Sequence, residues 1–210
     1  MTAPLFVPIF PLPDLTFFPH TFLALHVFEA RYRAMVTDCL ARDKRMAVVG
    51  LRPGYEATYD GKPAVNAVGG VGRIVQWERL ATGRYDILLQ GECRARIDHE
   101  VPSDTLYRVV TATPLGEVGG DDPAAASLAD QVRLRCAQIL EAVGRASSEL
   151  RESLDAVSAP GPLCDQIASA VIPRPAVRQA LLEELDVRRR LERLSAALDD
   201  LHKQLTGGGA

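Results

Sequence analysis

The sequence predicts an α+β fold: a small, partly closed β barrel with one intercalated helix, followed by a C-terminal α-helical bundle. Three observations carry this. Short runs rich in Val, Ile and Leu, punctuated by turn residues, fill the first half of the chain. A single stretch there changes to helical period, and long excursions separate the strands, which favours a barrel over a parallel sheet. From about residue 115 the composition shifts to GEVGGDDP, and beyond it apolar residues recur at helical spacing. With 210 residues, 47% of them hydrophobic and 24% charged, the chain can bury a core as one large or two small domains. The boundary is expected to separate a barrel at 1–117 from a bundle at 118–210.

Residues 5–10 are apolar and end at Pro11 and Pro13, and 21–27 form a short extended run. From Phe28 the period changes: Phe28, Tyr32, Met35, Val36 and Cys39 recur at helical spacing, which predicts a helix stopping near Asp43 with these side chains inward. Met46 to Leu51 reads as a short buried strand and 53–65 as a loop. Residues 71–79 and 84–90 flank Ala81-Thr82-Gly83 as a hairpin. Gly91 interrupts the second strand and signals a bulge or bend, after which Cys93, Ala95 and Ile97 share one face and Arg94 and Arg96 the other. Tyr107 to Thr113 makes a further strand. Asp121 or Asp122 is the expected cap of a helix that starts at Pro123. Helices follow at 123–144, 148–158, 162–171, 175–184 and 186–205. In the last one Val187, Leu191, Leu194, Leu198, Leu201 and Leu205 form a strict stripe, suited either to packing inside the bundle or to a partner helix.

Composition and motifs exclude several function classes. A net charge of −3 offers no general attraction to nucleic acid or anionic membrane. The first twenty residues lack a basic leader and hold five prolines, so neither a signal peptide nor a membrane span is expected, which points to the cytoplasm. Gly54 and Gly61-Lys62 are spaced wrongly for a phosphate loop, with Pro63 where a hydroxyl residue belongs. Gly70-Val71-Gly72 has Val75 where a dinucleotide fingerprint needs glycine. No serine lies in GxSxG, and the four histidines and four cysteines are scattered, so no catalytic residue, metal or cofactor is expected. In HVFEARYRAM, residues 26–35, Glu29 falls in the first helical turn, where it favours the helix dipole and is free to reach an arginine on a neighbouring strand such as Arg94. Trp77 is either core, rim or a partner anchor.

Taken together, LFVPIFPLPDLTFFPHTFLALHVFEARYRAMV at 5–36, GGVGRIVQWERLATGRYDILLQGECRARI at 69–97, and LCDQIAS with RQALLEELDVRRRLERL at 163–169 and 178–194 resemble the amino-terminal substrate-recognition domain of the Lon protease family. The resemblance spans almost the whole chain and implies a PUA-like barrel followed by a helical bundle, standing alone, without the modules for ATP hydrolysis and proteolysis. It implies a non-catalytic protein-binding module for unfolded or tagged polypeptides, of the peptidase S16 kind by homology only and at work in bacterial protein quality control. Pro11, Phe28, Glu29, Tyr32, Gly72, Gly91 and Arg94 come across as fold determinants. Polypeptide binding is expected where barrel and bundle meet, at the loop 52–67 with Arg52, Tyr55 and Tyr59, and at Trp77. Leu191, Leu194, Leu198 and Leu201 would serve a partner helix, for instance when the chain regulates a separate ATP-dependent protease. A small-molecule pocket between barrel and bundle is the alternative. A monomer or weak homodimer is expected, with no nucleic acid or membrane among its partners. One departure stands out: the family pattern often has glycine after the proline of FP, where this chain has His20, so a different local turn is expected.

Overall fold

Six strands, β1 (Leu5–Leu12), β2 (Phe22–Val27), β3 (Arg45–Gly50), β4 (Val68–Arg79), β5 (Tyr85–Val101) and β6 (Val109–Leu115), form one sheet in the order β2-β5-β4-β3-β1-β6. In this computed structural model the described residues are 3–58, 61–144 and 148–207, with side chains not described at 148–151 and 207. They fall into two units, Met1–Leu115 and Gly116–Ala210. In the first, the 17-residue β5 pairs with β2 over Tyr85–Gln90, with β4 over Tyr85–Arg96 and with β6 over Arg94–Val101, so β5-β4-β3-β1-β6 closes on itself while β2 hangs on as an edge. The sheet is ring-like without being a full barrel.

Alternation along the strands explains this packing. On β3, Ala47 and Val49 face a cluster that also takes Val7, Ile9, Val71, Ala95, Val110 and Ala112, one or more residues from each of the five ring strands. Small Ala and Val side chains fill a narrow ring; larger ones would force it open. Met46 and Val48 face the other way, into a cluster with Phe10, Ile74, Ile87 and Leu89 under the helix α1 (Ala30–Leu40). Being buried on both faces, β3 reads in sequence as an unbroken apolar run. The helix contributes Tyr32, Met35, Val36 and Cys39 to that cluster.

Bulges bend β5. Gly72 pairs with Gly91 and Val71 with Cys93, which leaves Glu92 unpaired at the bulge expected near Gly91. Past the bulge Cys93, Ala95 and Ile97 share one face as expected, all packing into the ring cluster, while Arg94 on the other face is nonetheless buried, at 2% exposure. Gly91 is glycine for a steric reason: a Cβ there would collide with the Phe18 carbonyl oxygen, since the 15–19 segment lies directly on the sheet. At Gly72 a Cβ would meet Gln90 O at 2.5 Å and the Phe17 ring at 2.6 Å. A second bulge at Val75 brings Ile74 and Trp77 onto one face, so Val75 does not share a face with Trp77 as plain alternation predicts.

Two further expectations fail. Phe28 is 59% exposed, because the helix starts at Ala30 with Glu29 as its N-cap residue and Phe28 precedes the first turn. The Glu29 carboxylate is held by Arg31 at 2.9 Å, a pair two residues apart, and not by Arg94. His20 has a left-handed backbone, with φ at 60°, a conformation that glycine adopts at no steric cost.

The second unit comprises α2 (Pro123–Ala142), α3 (Ser148–Asp155), α4 (Pro160–Val171), α5 (Pro175–Glu183) and α6 (Val187–Gly207). Asp122 caps α2, its Oδ1 accepting from Ala124 N at 2.9 Å, with Pro123 at the first position as expected. Leu191, Leu194 and Leu198 are fully buried and α6 packs on α2, α4 and α5, so this stretch is not open to an outside helix. Only Leu201 of the four proposed partner positions is half-buried. Arg190 is also fully buried on α6, with Nη2 2.7 Å from Glu117 Oε1 and Nη1 3.7 Å from the buried Asp165.

Candidate functional site

In the first unit a concavity of about 320 Å³ opens between the loop after β3 and the connection from β5 to β6. Its floor is apolar: Ile9 and Pro11 from β1, Tyr32 from α1 and Leu51 after β3. Lys62, Pro63, Leu106 and Arg108 stand at its walls, with Leu106 70% exposed. Pro11 and Tyr32, read from sequence as fold determinants, are thus also pocket residues.

The polar rim is organised around Glu100. Its carboxylate accepts from Lys62 Nζ at 2.7 Å and from Arg108 Nε at 3.3 Å, while Arg108 Nη1 donates to Pro63 O at 2.8 Å. Burial pushes the Glu100 carboxyl up, but the Lys62 hydrogen bond and the two positive charges outweigh it and hold it below the usual carboxylate range. These contacts tie the loop to the strand. Deeper in, the Tyr107 hydroxyl donates to Asp38 Oδ2 at 2.7 Å, and burial together with that carboxylate raises its pKa. An apolar floor under Lys62, Arg108 and Arg31 favours an uncharged or weakly anionic apolar group.

The residues expected to bind polypeptide do not converge on this pocket. Arg52 is exposed and its amide donates to Ala64 O at 2.9 Å; Tyr55 is half-buried in a short 3-10 helix, Tyr55–Thr58. Tyr59 lies outside the described residues. Trp77 is 46% exposed at the end of β4, with Lys44 Nζ 4.2 Å from its ring centroid, which is a rim position. Sequence reading missed the 100–108 wall, and the signal available was the exposed, unpatterned Leu106 between polar residues.

Among the described residues no group of three His, Cys, Asp or Glu is placed to hold a metal, and no helix is long and apolar enough to cross a membrane. Burial raises the thiols of Cys39 to about 12 and Cys136 to about 11, which disfavours the nucleophilic thiolate. In the second unit, Ile139, Val143, Val171, Leu201 and Leu205 line an apolar concavity of about 350 Å³.

The class of fold is that of Lon protease amino-terminal domains. The structure matches the N-terminal domain of the Mycobacterium avium complex Lon protease with a TM-score of 0.76 at 20% identity, over 93% of this chain and 99% of that one. It matches a Lon N-terminal domain protein from Xanthomonas campestris at 0.66 and 24% identity, over 91% and 98%. The chain belongs to the family described as the ATP-dependent protease La (LON) substrate-binding domain, whose profile matches residues 7–200. In sequence it is 28% identical to a Lon protease of Azospirillum brasilense over 91% of this chain and 24% of that protein, and 30% identical to Lon protease 3 of Sorangium cellulosum over 90% and 22%. The chain therefore spans about a quarter of the length of the curated relatives it matches.

Proposed function

We propose that the chain is a non-catalytic polypeptide-recognition module that binds unfolded or exposed apolar segments of other proteins in the cytoplasm. The observation that carries this reading is the apolar-floored, polar-rimmed concavity of the first unit, in a chain whose family is defined by substrate binding. A side chain of the client enters over Ile9, Pro11 and Tyr32, while its backbone runs across the Glu100–Lys62 rim. Arg52, Tyr55, Tyr59 and Trp77 are further client contacts in this reading, separate from the pocket. Binding of this kind is modest, because a flexible client loses conformational entropy on docking. The protein works as a monomer or weak homodimer, handing clients to a separate ATP-dependent protease, with nucleic acid and membrane playing no part.

The test is fluorescence anisotropy of one labelled model protein, native or held unfolded by reduction and alkylation of its disulfides, titrated with this chain across micromolar concentrations. Preferential binding of the unfolded form, weakened by Leu106→Ser, supports the reading. Equal binding of both forms, or of neither, refutes it. The cavity volume, within the ~300–1,000 Å³ usual for small-molecule sites, favours a small apolar ligand as the second reading. A thermal shift on adding such a ligand, without binding of unfolded protein, would select it.

A further inference from the structure

The edge strand β2 carries a second consequence. Each strand of the ring has a partner on both sides, whereas among the described residues β2 pairs only with β5, from Phe22 opposite Gln90 to Val27 opposite Tyr85. In an antiparallel pair, alternate residues turn their N–H and C=O away from the partner, so about three of its six residues present unpaired backbone groups at the open edge. No backbone hydrogen bond from 22–27 outside the β5 ladder is found among the described residues.

Open edges in soluble proteins are normally guarded by charge, proline or a bulge. The Val75–Arg79 end of β4, beyond its register with β3, follows that rule: it has a bulge at Val75 and carries Glu78 and Arg79. β2 breaks it. FLALHV contains no Asp, Glu, Lys, Arg or Pro and pairs with β5 in unbroken register. Its two sides are also apolar, apart from His26, whose Nδ1 lies 2.6 Å from Asp86 Oδ1 on β5. Phe22, 62% exposed, and Ala24 lie outward, and Phe28, 59% exposed, stacks on His26 with ring centroids 6.3 Å apart just past the strand. Leu23 and Leu25 lie on the opposite side, half-buried against the core under α1.

We infer that β2 is a strand-addition site, which takes an extended, uncharged, apolar segment of about six residues as a seventh strand. The occupant follows from the edge: alternating donors and acceptors spread over ~20 Å are matched by another extended backbone and by little else. Apolar side chains on one side of that segment complete the burial of Leu23 and Leu25. Those on the other side cover Phe22 and Ala24. The inference rests on the polypeptide-binding reading above and names how the client is held; the pocket and the edge are separate contacts in the same unit.

The test uses the whole chain and two probes: the labelled unfolded model protein, and a labelled eight-residue peptide alternating leucine and serine. With wild type, N-methylation of alternate backbone nitrogens of the peptide keeps its side chains and removes its donors, and is expected to weaken binding by about tenfold or more. The double variant Phe22→Lys, Ala24→Lys alters exposed side chains only; it is expected to melt like wild type and to lose about tenfold in affinity for both probes. Equal binding of the methylated peptide would overturn strand addition in favour of side-chain contacts alone. Undiminished binding of unfolded protein by a folded double variant would move recognition away from β2 while leaving the proposed function standing. A wild-type dimer that the double variant splits would assign the edge to a second copy and overturn the inference. Failure of wild type to bind the unfolded protein at all would instead remove the reading on which it rests.

Discussion

Arg190→Met tests whether the ionic cluster of the second unit holds its helices in place. Arg190 and Asp165 have no exposed side-chain surface, and the Glu117 side chain is 28% exposed. Truncating the cation removes the charge that faces buried Asp165 Oδ1 at 3.7 Å, and breaking a buried pair costs about 3–5 kcal/mol. Glu117 adds little to that figure, since it can turn toward water. The unit spans about 95 residues, for which unfolding entropy near 0.2 kcal/mol/K converts the loss to about 15–25 °C in Tm. Far-UV circular dichroism follows it directly, as this unit is entirely helical apart from its connections. A second variant isolates the cause: Arg190→Met with Asp165→Leu removes both charges at similar volume and is expected to recover most of the stability. A single variant within about 1 kcal/mol of wild type, or a double variant as unstable as the single, would refute the argument.

Other consequences concern the first unit. Glu92, the bulged residue of β5, accepts from Arg45 Nε and Arg73 Nε, each at 2.7 Å; burial pushes its carboxyl up, yet the two arginines outweigh burial and hold it below its usual range. Its contribution is therefore full above the unfolded value near ~4.3 and is lost as pH falls through the folded value, so Glu92→Gln should destabilise at pH 7 and progressively less below about pH 4 in denaturant titrations. A constant difference across that range would contradict it. Gly91→Ala drives a Cβ into the Phe18 carbonyl oxygen and should cost at least ~1–3 kcal/mol by the same measurement, with an unchanged melt showing that the 15–19 segment lies further from the sheet. Glu29→Ala removes a partly exposed pair with Arg31, so a change below ~1 kcal/mol is expected; a larger one would point to a role at the start of α1 beyond that pair.

Much of the candidate site was hidden from sequence reasoning for one physical reason. Its floor comes from β1, α1 and the residue after β3, its walls from the 61–63 loop and the 100–108 connection, and these meet only because β5 closes the ring onto β6. Pro11 and Tyr32 were singled out, but as parts of the fold. Leu106 and Glu100 carry no local pattern that would have named them. Trp77 was legible as an aromatic at a strand end, and only the bulge at Val75 decided which face it takes.

By itself the sequence determined the elements and their order. Apolar and β-rich runs along 5–10, 71–79 and 84–90, period 3.6 after Phe28 and throughout the second half, Asp122-Pro123 at a helix start and Gly91 at a bend are local signals, fixed by backbone geometry and side-chain spacing within a few residues. The family resemblance came from the same linear order. Tertiary structure decided what spacing cannot encode: closure of β5 on β6, the burial of Arg94, the exposure of Phe28, and the burial of Arg190 three positions after Val187 on the same face of α6. It also left β2 with one free edge. Each of these depends on which distant strand or helix arrives alongside, and an arginine or phenylalanine has the same local propensity whether that neighbour comes or not.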